Sequence, residues 1–341
     1  MDDSIFGKRD KRGDWTPHER IQYPPVFTWP LRPIAFLKWF AGFPGYLFPW
    51  NALYAVAAVL VWRYLTPSME TMRTISPGWV LYLLVRNAAL VAIVYGAWHI
   101  FLYVKRSQGN LFKFNSRWPA TDNSAFLFKN QLADNLIWTF ASGVPIWTAF
   151  EVFSMWAFAN HYVPYVDWNK HPVYCVAMML AIPLMRDLHF YAIHRAIHWP
   201  PLYRWVHSLH HNNVNPMPWS GLAMHPVEHF FYYTGVLIHL VIPSHPLHAV
   251  FHLIHSSFGP AQGHAGFSKV VIGEGKTLNT DCYAHYLHHK YFECNYADGV
   301  IPLDKWFGTF HDGSKEAQEA MDRRFLSRAA KENAKHQRAT S

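Results

Sequence analysis

Apolar residues gather into long runs separated by short polar breaks, and the length of each run limits what it can do. A bilayer core of about 30 Å is crossed by about 20 helical residues rising about 1.5 Å each. Residues 46–65, 79–104, 133–158 and 173–193 each meet that length, so the pattern predicts four transmembrane helices. Arg63 sits near the end of the first, where its stem can reach back to the interface. Arg86 lies inside the second, and a charge at that depth needs a partner or a wet cavity. The third run carries Glu151 and is interrupted by Gly143 and Pro145, and the fourth is kinked at Pro183. A fifth apolar run, 230–256, is broken by Pro243-Ser244-His245-Pro246. Each half is too short to span alone, which predicts a re-entrant hairpin of two half-helices.

The polar stretches orient these runs. Residues 1–45 form a basic arm with Lys8, Arg9, Lys11, Arg12, Arg20, Arg32 and Lys38. Its proline breaks predict mostly irregular chain, with Trp29, Trp39 and Phe40 settling at the membrane surface. The loop after the second run holds Lys105, Arg106, Lys113, Arg117 and Lys129, whereas loops 66–78 and 159–172 hold only Arg73 and Lys170. Two hairpins with their ends in the cytosol satisfy that asymmetry. The expected fold class is therefore an all-α integral membrane bundle: about four transmembrane helices, the re-entrant hairpin and a cytosolic His-rich helical cap. Four segments follow: the arm 1–45, a first hairpin with its basic loop 46–132, a segment 133–312 that holds the remaining apolar runs and most of the histidines, and a charged tail 313–341. The chain carries neither an internal repeat nor a low-complexity segment.

Composition agrees with the bilayer reading. Aromatics make up 17% of residues, with 16 Trp, while charged residues reach only 15%, against about 25% in soluble domains. The mean hydropathy of -0.05 is depressed by 23 His and by many Trp, Tyr and Pro. The net charge of +8 sits beside the apolar runs and not in an aromatic-laced basic groove, so no nucleic-acid partner is expected. Cys175, Cys282 and Cys294 are an odd set without framework spacing. Cys282 and Cys294 bracket a histidine cluster, but a thiolate beside oxygen chemistry invites oxidation, which argues against them as ligands. Residues 1–20 are polar, so no cleavable signal peptide is expected.

The histidines carry the chemistry. In HRAIHWPPLYRWVHSLHH, residues 194–211, His194 and His198 stand one helical turn apart, and His207, His210 and His211 share another face. His285, His288 and His289 in HYLHH repeat the second spacing. Imidazoles grouped in this way build transition-metal sites. HExxH is absent, as are the Glu-x-x-His pairs of carboxylate-bridged di-iron bundles. Eight histidines exceed one ion's shell, so two metals are the economical count. Ligating imidazoles usually donate their other N–H to an acceptor. Asp187, seven before His194, Glu228, three after His225, and Asp281, four before His285, are the candidate carboxylates.

The ordered set HRAIH, HSLHH, HPVE, HAGF and HYLHH resembles the membrane-bound fatty acid hydroxylase and sterol desaturase superfamily. The lead-in Asp187-Leu188-His189-Phe190-Tyr191 and the closing Asn295-Tyr296 and Asp304-Lys305-Trp306-Phe307-Gly308-Thr309 extend the resemblance over about residues 133 to 312. It implies an integral membrane enzyme using two non-haem iron ions, O2 and two external electrons. It implies ten metal ligands: His194, His198, His207, His210, His211, His225, His264, His285, His288 and His289. His229 competes with His225 for its place, and His255 with His264, since the family's usual acidic neighbour is missing beside Gln262. Histidines such as His239, His245, His248 and His252 are assigned to packing or interface positions.

The expected activity is O2-dependent hydroxylation of a membrane lipid. The chain has neither a haem-attachment motif nor an iron–sulfur cysteine run, so electrons are expected from a separate ferredoxin or cytochrome-b-type protein, steered by the basic loops. Trp199, Tyr203, Trp205 and Trp219 are candidate groove-lining or interfacial aromatics. The alternative in the same chemistry is a lipid or sterol desaturase or sterol methyl oxidase. The alternative from another class is a His-rich metal transporter or sensor, which would place its ligands at the bilayer midplane. The expected location is the bacterial inner membrane or the endoplasmic reticulum, with the histidine clusters on the cytosolic side.

Overall fold

The computed structural model describes residues 1–340, and all of its long elements are helical. The chain begins with a small antiparallel hairpin, β1 (Gly7–Arg9) and β2 (Trp15–Pro17), followed by α1 (Pro33–Ala41) and α2 (Ala52–Tyr64). Three helices are long and apolar enough to cross a membrane: α3 (Pro77–Val104), α4 (Gln131–Ala159) and α5 (Pro172–Ile197). Then come α6 (Pro226–Tyr233), α7 (Pro246–Gly263), a second hairpin of β3 (Lys269–Gly273) and β4 (Lys276–Asn279), α8 (Tyr283–Tyr291) and α9 (Lys315–Thr340). The two hairpins are the only departure, among the described residues, from the all-helical expectation.

Local sequence explains where helices start. α3 and α5 open with Pro77 and Pro172, where a missing N–H costs nothing. Asn130 caps α4 by accepting the Ala133 N–H at 3.0 Å. α6 and α7 both open on His-Pro. His225 Nδ1 accepts the Val227 N–H at 3.2 Å, and His245 Nδ1 accepts the Leu247 N–H at 3.1 Å.

One expectation is corrected. The first apolar run is not a full-length span: α2 has 13 residues, about 20 Å of rise. Phe48 stands before Pro49 and takes an extended backbone, φ -116 and ψ 139, because the proline ring disfavours helix at the residue before it. The run 230–256 is broken at Pro243–Pro246 as expected, and its second half continues as α7. α7 is buried along nearly its whole length and packs against α2, α3, α4 and α5. A helix buried on every face belongs in the middle of a bundle, and its buried His248 and His255 find partners in the Cys175 carbonyl and Asn51 Oδ1. The arm is irregular over most of its length, as expected, and is packed on the bundle: Trp15 is buried against Phe112 and Phe114, and its backbone N–H donates to the Phe114 carbonyl at 2.9 Å.

The interior charge in α3 has its partner. Arg86 Nη2 reaches both carboxylate oxygens of Glu151 on α4 at 2.5 Å. Asn87 completes the network, donating to Thr148 Oγ1 at 3.1 Å and to Glu151 Oε2 at 3.0 Å. Two membrane helices are thus joined by a paired, fully buried charge.

Candidate metal centre

Four segments converge at one end of the bundle. α5 delivers His194 in its last turn and His198 at its C-cap. The helical stretch 203–211 brings His207, His210 and His211. The central helix α7 ends on His264, and α8 presents His285, His288 and His289. Nine imidazoles fall into two groups, each with its ligand atoms within 4.8 Å of one another. One holds His194, His198, His207, His211 and His288, and the other His210, His264, His285 and His289.

In both groups the facing atoms are Nε2. In the first, His194 meets His207 at 3.1 Å, His198 meets His211 and His288 at 3.2 Å, and His211 meets His288 at 3.1 Å. In the second, His264 lies 2.9 Å from His285, 3.1 Å from His289 and 3.3 Å from His210. The outer nitrogens say what these contacts are. Nδ1 of His194, His210, His264 and His288 faces the carbonyls of Tyr296 (2.6 Å), Ala223 (3.2 Å), Pro260 (2.9 Å) and Cys294 (2.7 Å). Nδ1 of His207 faces Glu228 Oε1 at 2.8 Å. A carbonyl only accepts, so the four Nδ1 atoms that face one carry the proton, and Nε2 of those rings is left with a lone pair. Lone pairs converging in this way repel unless a cation lies among them. Ligands about 2.1 Å from one ion and at right angles stand about 3.0 Å apart, which matches the observed contacts. The donor sets fit a histidine-bound transition metal in each group.

Burial keeps these rings neutral and ready to ligate. It pushes the imidazole of His264 down to about 4 and that of His198 down to about 2, the latter helped by neighbouring His194 and Arg195. His207, His210, His211, His285, His288 and His289 are likewise driven well below the ordinary histidine value by burial and by one another.

His225 stands apart from both groups: its ring is spent on capping α6 and lies beside Trp138. Its rival His229 is also outside, buried with Nδ1 at 2.9 Å from Ser142 Oγ. His255 is bonded through Nε2 to Asn51 Oδ1 at 2.8 Å, and His264 takes the place in the group. Of the three carboxylates, Glu228 touches a grouped ring, that of His207 instead of its sequence neighbour His225. Asp187 touches no ring; it accepts the Val300 N–H at 2.7 Å. Beside it Arg186 forks onto Asp298 at 3.0 and 2.8 Å. Together they hold the loop whose Tyr296 carbonyl orients His194. Asp281, at φ 54, bonds Asn279 at 2.6 Å and leaves His285 Nδ1 without a partner. The buried thiols of Cys282 and Cys294 are free, and Cys294 contributes its carbonyl. Glu228→Gln is therefore expected to weaken metal retention by about 10- to 100-fold, read as metal lost to a chelator over time. His225→Ala serves as the unaffected control.

A cavity of about 730 Å3 opens against both groups. His194, His207, His210, His264 and His285 form one end, and Arg186, Asp298 and His255 lie along its wall. Trp39, Tyr46 and residues 17–25 of the arm line it as well. None of the four aromatics anticipated for a groove lines it. Trp219 is buried against Tyr95 and Phe140, Tyr203 packs on His198 and His211, and Trp199 and Trp205 are exposed, as interfacial anchors would be.

Residues 179–309 match the family described as fatty acid hydroxylase. The Delta(7)-sterol 5(6)-desaturase of Candida glabrata is 29% identical over 180 residues, which cover 50% of this chain and 47% of that protein. A Delta(7)-sterol 5(6)-desaturase of Gibberella zeae is 26% identical over 236 residues, 66% of this chain and 69% of that protein. A fatty acid hydroxylase of Mycosarcoma maydis is 28% identical over 165 residues, 43% of this chain and 41% of that protein. The chain thus spans about half the length of the first of these relatives. No solved structure matches it.

Proposed function

The chain belongs to the fatty acid hydroxylase and sterol desaturase superfamily, and on that premise we propose that it is a membrane-embedded di-iron oxygenase that hydroxylates a lipid. The observation that carries the proposal is the convergence of nine neutral imidazoles, in two groups, on one end of a lipid-sized cavity. The irons would be held by His194, His198, His207, His211 and His288 in one group and by His210, His264, His285 and His289 in the other, within a catalytic domain of residues 133–312. When bound, they supply the reduction of O2 and the removal of hydrogen from an unactivated C–H bond, with two electrons from a separate ferredoxin or cytochrome-b-type donor. The protein's own part is to orient the ligands and line the cavity. Glu228 and the carbonyls of Tyr296, Ala223, Pro260 and Cys294 keep protons on Nδ1 and so keep Nε2 free to ligate. Trp39, Tyr46, Tyr54, Phe190 and Tyr232 supply aromatic surface along the cavity against which an apolar chain can lie. Both basic segments lie at the histidine end, since Trp15 of the arm packs on Phe112 and Phe114 and Phe114 stacks on Tyr286, and we read that end as the cytosolic side of an inner or endoplasmic-reticulum membrane, where an acidic donor can reach it.

A second reading, desaturation of a sterol or other lipid, is favoured by the sterol 5(6)-desaturases among the relatives. Comparative mass spectrometry of membrane lipids, with and without the protein under aerobic and iron-replete growth, decides between them. A lipid that gains one oxygen supports hydroxylation, and one that loses two hydrogens supports desaturation. No protein-dependent change in any lipid overturns both.

A further inference from the structure

Residues 29–49, which join the end of the arm to the start of α2, have two distinct sides. The outer side is a row of large apolar residues: Ile34 is 71% exposed, Leu37 60% and Phe43 65%. The inner side belongs to the cavity, where Trp39, Pro44 and Tyr46 form part of the wall. The two sides are held in register by close backbone packing. The Tyr46 N–H donates to the Trp39 carbonyl at 2.7 Å, and their rings lie 5.2 Å apart. A Cβ on Gly45 would stand 2.4 Å from that same Trp39 carbonyl, so only glycine allows the turn. The stretch is fastened to the bundle at mid-depth: Tyr46 Oη donates to the Leu180 carbonyl, inside membrane-length α5, at 2.6 Å. From Pro183 to His194 the cavity follows α5 for eleven residues, about 16 Å. It therefore runs from this wall to the metal ligands.

Charge singles out the same stretch. Between Glu19 and Glu70 there is not one acidic residue, while Arg20, Arg32, Lys38 and Arg63 fall in that interval. An apolar face with basic flanks is what an in-plane membrane helix presents to an anionic leaflet. In water the same face would be an aggregation-prone patch. It is also continuous, through Tyr46 and Leu180, with a helix that crosses the bilayer.

We propose that residues 29–49 form a membrane-inserted wall of the cavity, with α1 lying in the leaflet at the histidine end, and that a lipid enters sideways between this wall and α5. The partner of the outer face is the bilayer itself, and the inner face carries the ring contacts that part to admit a ligand. Lateral entry rests on the reading of the chain as a lipid oxidase; insertion of the wall does not.

The test uses the full chain, iron-loaded and reconstituted in vesicles of phosphatidylcholine and phosphatidylserine. The native cysteines are buried, so nitroxide labels go on Ile34→Cys, Leu37→Cys and, as an aqueous control, exposed Asp322→Cys. Labels at 34 and 37 are expected to be relaxed by O2 and protected from a water-soluble nickel chelate, with 322 showing the reverse. Labels at 34 and 37 that meet the nickel chelate as readily as 322 overturn the proposal, whatever the protein's activity. Ile34→Asp with Leu37→Asp then tests entry. Conversion of bilayer-borne lipid should fall about tenfold or more, with iron content and conversion of detergent-delivered lipid unchanged. Equal losses by both routes overturn lateral entry alone.

Discussion

Replacing His264 with alanine is expected to empty the four-histidine group and to lower product formation by about a hundredfold or more, beyond the loss typical of a supporting residue. His264 is the hub of that group: its Nε2 lies within 3.3 Å of the Nε2 atoms of His210, His285 and His289. Its ring is fixed from behind by the Pro260 carbonyl at 2.9 Å. Alanine removes the ligand shared by all three contacts, and water entering a buried cage cannot reproduce an imidazole held in place. His225→Ala is the matched control, because that ring caps α6 outside both groups and its loss should cost only about 1 kcal/mol of helix stability. Iron content by elemental analysis and lipid product by mass spectrometry check the pair. A His225→Ala protein that loses iron as His264→Ala does would show that the groups are drawn wrongly.

The second large effect concerns folding. Arg86→Met leaves Glu151 buried without its cation and is expected to cost about 3–5 kcal/mol. Side-chain exposures of 5% and 2% place the pair beyond solvent rescue. Adding Glu151→Leu to Arg86→Met should restore much of the loss, since an apolar pair carries no stranded charge. Thermal unfolding in detergent, followed by loss of helical signal, reads both variants. If the single variant unfolds with the wild type, the pair contributes nothing to joining α3 and α4.

Much of this was legible in residue order because the signals were periodic. Three of four apolar runs are membrane-length helices, and the spacings of His194 with His198 and of His285 with His288 and His289 put those rings on one face each. Arg86 inside an apolar run demanded a partner, and Glu151 supplies it. What was hidden depended on backbone or on distance in three dimensions. The carbonyls of Tyr296, Ala223, Pro260 and Cys294 have no side-chain signature. Glu228 was singled out for its spacing from His225 but serves His207, 21 residues earlier. A visible clue to His225 lay in its proline: His225-Pro226 and His245-Pro246 are the same cap, repeated at the starts of α6 and α7. The shortness of α2 was written in Phe48-Pro49, a local break that a count of apolar residues passes over.

The claim beneath all of these is that nine imidazoles hold two irons. Iron analysis of the purified, iron-supplemented protein, joined to X-ray absorption at the iron edge, tests it most directly. Two irons per chain in a nitrogen shell with the outer scattering of imidazole rings is the predicted result. Iron that is absent, limited to one per chain, or bound through sulfur would contradict it.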